Sequence, residues 1–253
     1  MRHFHSLTKL KFQSNMKFEI DNYSVKARLY PCLLILLPAF IVGVYYITDL
    51  EKYYHYFTAV LVFGLFTFVL AQFGRDKGKS KEPELYKYFG GKPTTLILRY
   101  RNTYLDSVTK NRYRQILTQK IPDIQMPTAQ EENDKPDDAD EIYNSCSKFL
   151  ISKTRDTTKF NLLFKENVSY GFRRNLWAMK NFALSIIFLC LVTHFYFATE
   201  GFKVFNKFTT QSIGLFAFLL IAILIWLFVI TRDWIKLVAF SYAERLFEAL
   251  NEV

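Results

Sequence analysis

Four stretches without a single charged side chain constrain this chain more than any other feature. They run from Leu29 to Thr48, Tyr53 to Gly74, Asn181 to Thr199 and Phe208 to Thr231. Each matches the roughly 20 apolar residues that a helix needs to cross a bilayer's hydrocarbon core. Each is bracketed by charge: Arg28 and Asp49, Lys52 and Arg75, Lys180 and Glu200, Lys207 and Arg232. A soluble globule would spread its apolar residues at helix or strand period. Here 51% of residues are hydrophobic and 18% aromatic, yet mean hydropathy is only +0.04, because apolar blocks alternate with charged ones. The expectation is four transmembrane helices.

The links within each pair of stretches are short, so each pair must form an antiparallel hairpin. Basic residues near span ends collect on the cytoplasmic side. Arg2, Lys9, Lys11, Lys17, Lys26 and Arg28 precede the first stretch, and Arg75, Lys77, Lys79 and Lys81 follow the second. Arg173, Arg174 and Lys180 precede the third, and Arg232 and Lys236 follow the fourth. The outer links offer only Lys52, Lys203 and Lys207. This bias places both termini and the central segment in the cytoplasm. It also accounts for the net charge of +10, so nucleic-acid binding is not the expected role. The first apolar run begins too late for a cleaved signal peptide.

The expected fold is an all-α membrane protein, with a mostly helical cytoplasmic domain inserted between two hairpins. Its divisions are an N-terminal segment (1–28), hairpin 1 (29–74), the domain (75–180), hairpin 2 (181–231) and a C-terminal helix (232–253). Within the domain, GRDKGKSKEPE reads as a flexible exit from the second span. Pro83 to Phe89 reads as a helix stopped by Gly90-Gly91. After Lys92-Pro93 the pattern fits a helix or a strand, Leu96 to Tyr100, equally well. Leu105 to Ile121 is an amphipathic helix ended by Pro122. Thr128 to Asp140 reads as an acidic loop, with a helix from Pro136 or Asp137 burying Ile142, Tyr143, Cys146, Phe149 and Leu150. Phe160 to Phe164 reads as a short packed element. A helix from Asn167 is expected to run unbroken into the third span, and Asp233 to Glu252 to continue the fourth.

No hydrolase, kinase, phosphate-loop, dinucleotide or metalloprotease signature is present. Gly90-Gly91-Lys92-Pro93-Thr94-Thr95 lacks the spacing of a phosphate loop and reads as a turn. Cys32, Cys146 and Cys190 are scattered, without a CxxC or Cys/His cluster, so neither metal nor cofactor is expected. Lys92, Arg99, Arg101, Arg112 and Arg114 cluster in sequence with interleaved tyrosines. They form a candidate site for a small anionic ligand, or a basic face against anionic lipid. Tyr170, Arg173 and Arg174 are candidate residues for coupling the domain to the membrane. His55 and His194 both lie toward the outer ends of their spans, where a pair could form. No Asp, Glu, Lys or Arg sits at mid-depth, which argues against a proton- or sodium-coupled carrier. Asp106 and Glu166 are acids without a paired constellation.

The stretches GGKPTTLILRYRNTYLDSVTKNRYRQIL (90–117) and KTRDTTKFNLLFKENVSYGFRRNLWAMK (153–180) resemble an uncharacterised family of bacterial inner-membrane proteins. The resemblance covers about half the chain. It implies a bacterial inner-membrane location and carries no catalytic residues. The expected function is a non-enzymatic membrane effector or signalling protein that senses a ligand or partner. Its architecture is analogous to that of anti-phage defence proteins, and it is expected to be a homo-oligomer in contact with lipid. The alternatives are a scaffold that recruits a cytoplasmic partner, or an oligomeric channel.

Overall fold

A computed structural model describes residues 22–46, 53–205 and 208–253, without the side chains of 53–59 and 61. Arg2, Lys9, Lys11, Lys17 and the His55 side chain lie outside the described residues. Among the described residues every regular element is a helix, with no strand. Three helices are long and apolar enough to cross a membrane: α1 (Asn22–Tyr46), α9 (Lys180–Ala198) and α10 (Thr210–Phe228). They mark the chain as compatible with a membrane protein. The remaining helices are α2 (Tyr53–Ser80), α3 (Glu82–Phe89), α4 (Pro93–Leu96), α5 (Ser107–Lys120), α6 (Ala129–Asp134), α7 (Pro136–Lys153), α8 (Asn161–Ala178) and α11 (Arg232–Glu248).

Proline chemistry shapes α1. In an α-helix the carbonyl of Ala27 would accept from the amide of residue 31, but Pro31 has no N–H. The chain winds as a π-turn over Val25–Leu29, with the Tyr30 amide reaching back to the Val25 carbonyl. The Ala27 carbonyl accepts from Asn175 Nδ2 of α8 at 2.8 Å. A proline therefore opens a backbone acceptor that a second helix fills.

The segment after Gly74 is not a flexible exit. Helix α2 continues through it to Ser80, and its glycines let α8 and α1 approach closely. A Cβ on Gly78 would lie 2.1 Å from Asn175 Oδ1, and one on Gly74 would meet Cys32 Sγ and Met179 Cγ at 3.7 Å. Gly90 ends α3 in the left-handed region, as the Gly-Gly pair predicts. The ambiguous stretch beyond it resolves as one helical turn, α4, rather than a strand.

Three boundaries differ from the sequence reading. The acidic stretch contains a helix, α6, because Thr128 and Glu131 form a reciprocal capping box. Helix α8 starts at Asn161 and stops at Met179, so it does not run unbroken into α9. Helix α10 ends before Thr231, whose hydroxyl accepts from the Trp234 amide and starts α11 as a separate helix.

Two cores result. One joins α1, α2, α9 and α10 to α3 and the start of α11, through Ile35, Leu85, Ile187, Leu219 and Ile235, all fully buried. The other is built from α5, α7 and the start of α8, and α11 forms its centre. Ala243, Leu246 and Phe247 are fully buried there against Leu117, Tyr143 and Leu150. The C-terminal helix α11 thus packs in the same core as α5 and α7 and is not a mere continuation of α10.

Candidate functional site

Helices α3, α4, α7, α8 and α11 meet α1 and the end of α2 around a cavity of about 380 Å³. Seven elements in turn build its wall. The end of α2 brings Lys79, α3 brings Glu82 and Tyr86, and α4 brings Lys92 and Thr94. Helix α7 adds Asn144, Ser147 and Lys148, while α8 adds Asn167, Tyr170 and Arg174. Tyr23 of α1 and Tyr242 of α11 close it, and both also line an adjoining cavity of about 350 Å³.

Four cations, Lys79, Lys92, Lys148 and Arg174, face this space against one carboxylate, Glu82. Glu82 is committed: its Oε1 accepts from Arg174 Nη1 at 2.5 Å and its Oε2 lies 3.0 Å from Lys79 Nζ. Among the described residues neither Lys92 nor Lys148 has an ion-pair partner. Lys92 Nζ donates to Asn144 Oδ1 at 3.2 Å. Ser147 holds α7 against α4 by donating to the Thr94 carbonyl at 3.1 Å. The net field is positive and the remaining polar wall is neutral.

Tyr86, Tyr170 and Tyr242 stay phenolic. Burial pushes the Tyr170 hydroxyl well above its usual range, with Tyr86 and Glu82 adding to the effect. Burial, then Glu82, raises Tyr86, and burial pushes Tyr242 up to about 12. The cavity thus pairs cations with neutral O–H donors, the set that complements phosphate oxygens.

A buried polar chain leads from this wall to α1. Arg174 Nε and Nη2 donate to Asn175 Oδ1 at 3.2 and 3.1 Å, and Asn175 donates to the Ala27 carbonyl. Arg174 and Asn175 are only 7% and 2% exposed.

Of the five basic residues that the sequence groups, only Lys92 lines this cavity. Arg99 grips Asp140 through Nε at 2.7 Å and a second contact through Nη2. Arg114 is buried, stacks 3.6 Å from the Tyr100 ring centroid and donates to the carbonyls of Leu98 and Pro127. Arg101 is exposed, and Arg112 lies over Tyr113. The coupling trio divides too. Tyr170 and Arg174 line the cavity, while Arg173 donates to the Trp234 carbonyl at 2.7 Å and binds α8 to α11. Asp106 caps α5 by accepting from the Thr109 amide at 2.8 Å.

Lys79, Lys148, Asn175 and Tyr23 carry no motif, and sequence reasoning misses them. Only Asn175 leaves a trace, since Pro31 creates an acceptor that some buried donor must meet. His194 is fully buried and meets Tyr46, while the His55 side chain, its expected partner, lies outside the described residues. Tyr46 Oη lies 2.6 Å from Nδ1, and the Ser212 carbonyl is 3.0 Å from Nε2. Among the described residues no group of His, Cys, Asp and Glu could hold a metal ion.

No protein-family model, curated protein or solved structure matches this chain.

Proposed function

We propose that this chain is a four-span protein of the bacterial inner membrane, with both termini cytoplasmic. Its junction cavity binds a small phosphate-bearing ligand and passes occupancy to the spans. The observation that carries this reading is the position of Arg174, which borders the cavity and bonds to the residue that holds α1's open carbonyl. A ligand that draws Arg174 from Glu82 would alter the seat of a span.

Helix α2 is the fourth span in this reading. Its 28 residues suffice, and Val60, Val62, Leu65 and Val69 point outward. The membrane boundary is supported by Trp177, Trp226 and Trp234, with Lys81 and Arg232 over Trp177 at 5.1 and 5.8 Å. Tryptophan and basic residues favour the interface.

The role is sensing rather than catalysis, because the only carboxylate on the wall is held by two cations. An effector of this kind suits a signalling or anti-phage role. Assembly of copies is compatible with Gly43, Gly64 and Gly214, whose Cα atoms face open space and allow close helix approach.

The test uses the full chain in phosphatidylcholine nanodiscs, melted with and without millimolar ATP or inorganic pyrophosphate. A ligand at 100 times its Kd stabilises by about 2.7 kcal/mol. Lys92→Glu with Lys148→Glu should remove that shift while leaving the unliganded melt unchanged. No shift in the wild type with either probe, in phosphatidylcholine or in phosphatidylglycerol discs, would overturn the reading.

A further inference from the structure

A second recess lies among the apolar helices themselves, between α1 and α10. Leu34, Leu37 and Pro38 form one side, and Phe218, Ala222 and Ile225 the other. Its volume is about 190 Å³. Pro38 lies within the unbroken helix and Ala222 presents only a methyl group, so both side chains facing this space are short. Leu176, Trp226 and Ile230 close one end.

That end carries a positive charge. Lys180 follows Leu176 by about one turn, and its Nζ donates to the carbonyls of Leu227 and Ile230, each at 3.0 Å. An ammonium has three donors, so one remains after these two bonds. Among the described residues Lys180 has no carboxylate partner. An apolar slot with a cation at its mouth matches one kind of molecule, an acyl chain ending in an anionic headgroup.

We infer that this cleft is a binding site for an anionic phospholipid, one acyl chain lying along Leu37, Pro38 and Ala222 and the phosphate on Lys180. The inference rests on the membrane reading above and is independent of the junction cavity. The bilayer supplies the occupant. An empty cleft between lipid-facing helices would forgo dispersion contacts that an acyl chain provides. The remaining ammonium donor sets the preference for a phosphate that lacks a neighbouring choline cation.

The experiment reconstitutes the full chain in nanodiscs containing trace phosphatidylglycerol or phosphatidylcholine with a photoactivatable diazirine on one acyl chain. Cross-linked peptides are then mapped by mass spectrometry. Labelling should concentrate on residues 34–38 and 218–226, several-fold above other outward faces, and more strongly with phosphatidylglycerol. Lys180→Gln should erase the headgroup preference and keep the labelled positions. Ala222→Phe should fill the cleft and shift labelling away from it. Labelling spread evenly over all the apolar helices in the wild type overturns the inference, whether or not either variant folds. Equal labelling by the two lipids removes the role of Lys180. Extraction of the chain from membranes by alkaline carbonate would instead defeat the membrane reading itself, so the two failures are distinguishable.

Discussion

Arg174 Nη1 lies 2.5 Å from Glu82 Oε1, with both side chains less than one-tenth exposed. The pair joins α8 to the start of α3 where the cavity wall is linked, through Asn175, to α1. Breaking a buried ion pair by removing one partner costs about 3–5 kcal/mol, mostly from the charge left unpaired. Here Lys79 still contacts Glu82 from a largely exposed position, which limits the loss. Arg174→Met should therefore destabilise by about 3 kcal/mol in a thermal or denaturant melt. Adding Glu82→Gln to it should recover part of the loss, since no buried charge then remains. A double variant that is less stable than Arg174→Met would show that the ion pair is not the source.

Two glycines set how closely the helices approach at this junction. A Cβ on Gly78 would collide with Asn175 Oδ1 at 2.1 Å, and one on Gly171 would lie 2.6 Å from Tyr23 Oη and 3.1 Å from Ala27 Cβ. Neither glycine has a positive φ, so the constraint is space alone. Overpacking costs typically 1–3 kcal/mol. Gly78→Ala should cost more than Gly171→Ala, because its methyl meets a doubly bonded amide rather than a phenol that can swing aside. The melting temperatures of the two variants check the order.

The legible and illegible parts of this fold divide along one physical line. Apolar block length revealed α1, α9 and α10, and Gly90-Gly91 revealed the end of α3, because those signals are local. The capping box at Thr128 and Glu131 was also local, but acidic composition masked it as a loop. Of the cavity wall only Lys92, Tyr170 and Arg174 were legible. Arg99 and Arg114 look like ligand groups in a linear cluster, yet Asp140 and the Leu98 carbonyl claim them after folding. Lys79, Lys148 and Tyr23 come together from three helices distant in sequence, and nothing near them in the chain announces it. Charge clusters in sequence mark where cations are, and only packing decides which remain unpaired.

In the inter-span domain, Tyr143 Oη donates to Glu132 Oε2 at 2.7 Å and also receives Arg114 Nη2. Glu132 in turn accepts from the Tyr100 amide at 3.0 Å. Tyr143→Phe removes one donor and one acceptor from a buried network, a loss of about 1–3 kcal/mol. The same change should loosen α6 from α7 before it affects the apolar helices. Hydrogen exchange should then rise in 129–134 and stay unchanged in 180–198.

Carboxylates that cap helix and turn starts give the domain an acid limit. Backbone and hydroxyl groups of Thr128 hold Glu131 below the usual carboxylate range, and Thr109 does the same for Asp106. A group whose folded pKa is depressed stabilises above its unfolded value, roughly 4, and that contribution fades as pH falls through the folded value. Glu131→Ala should accordingly lower the melting temperature at pH 7, and the gap to wild type should shrink by pH 3. A gap that is constant across this range would show that the ionised carboxylate of Glu131 is not its source.

Burial pushes the Cys146 thiol up to about 12. It is fully enclosed between α7 and the α11 core. Only the thiolate reacts with maleimides at useful rates, so both access and ionisation oppose labelling. In the folded chain at pH 7.5, Cys146 should remain unmodified over hours and become labelled after denaturation. Variants that open the domain core, such as Leu246→Ala, should expose it in the native state. A Leu→Ala change at a fully buried site costs about 2–5 kcal/mol, enough to raise the open population by at least an order of magnitude. Labelling followed by mass spectrometry of the 136–153 peptide reads that population directly. Rapid modification of Cys146 in the wild type would mean that α11 does not seal the domain core in solution.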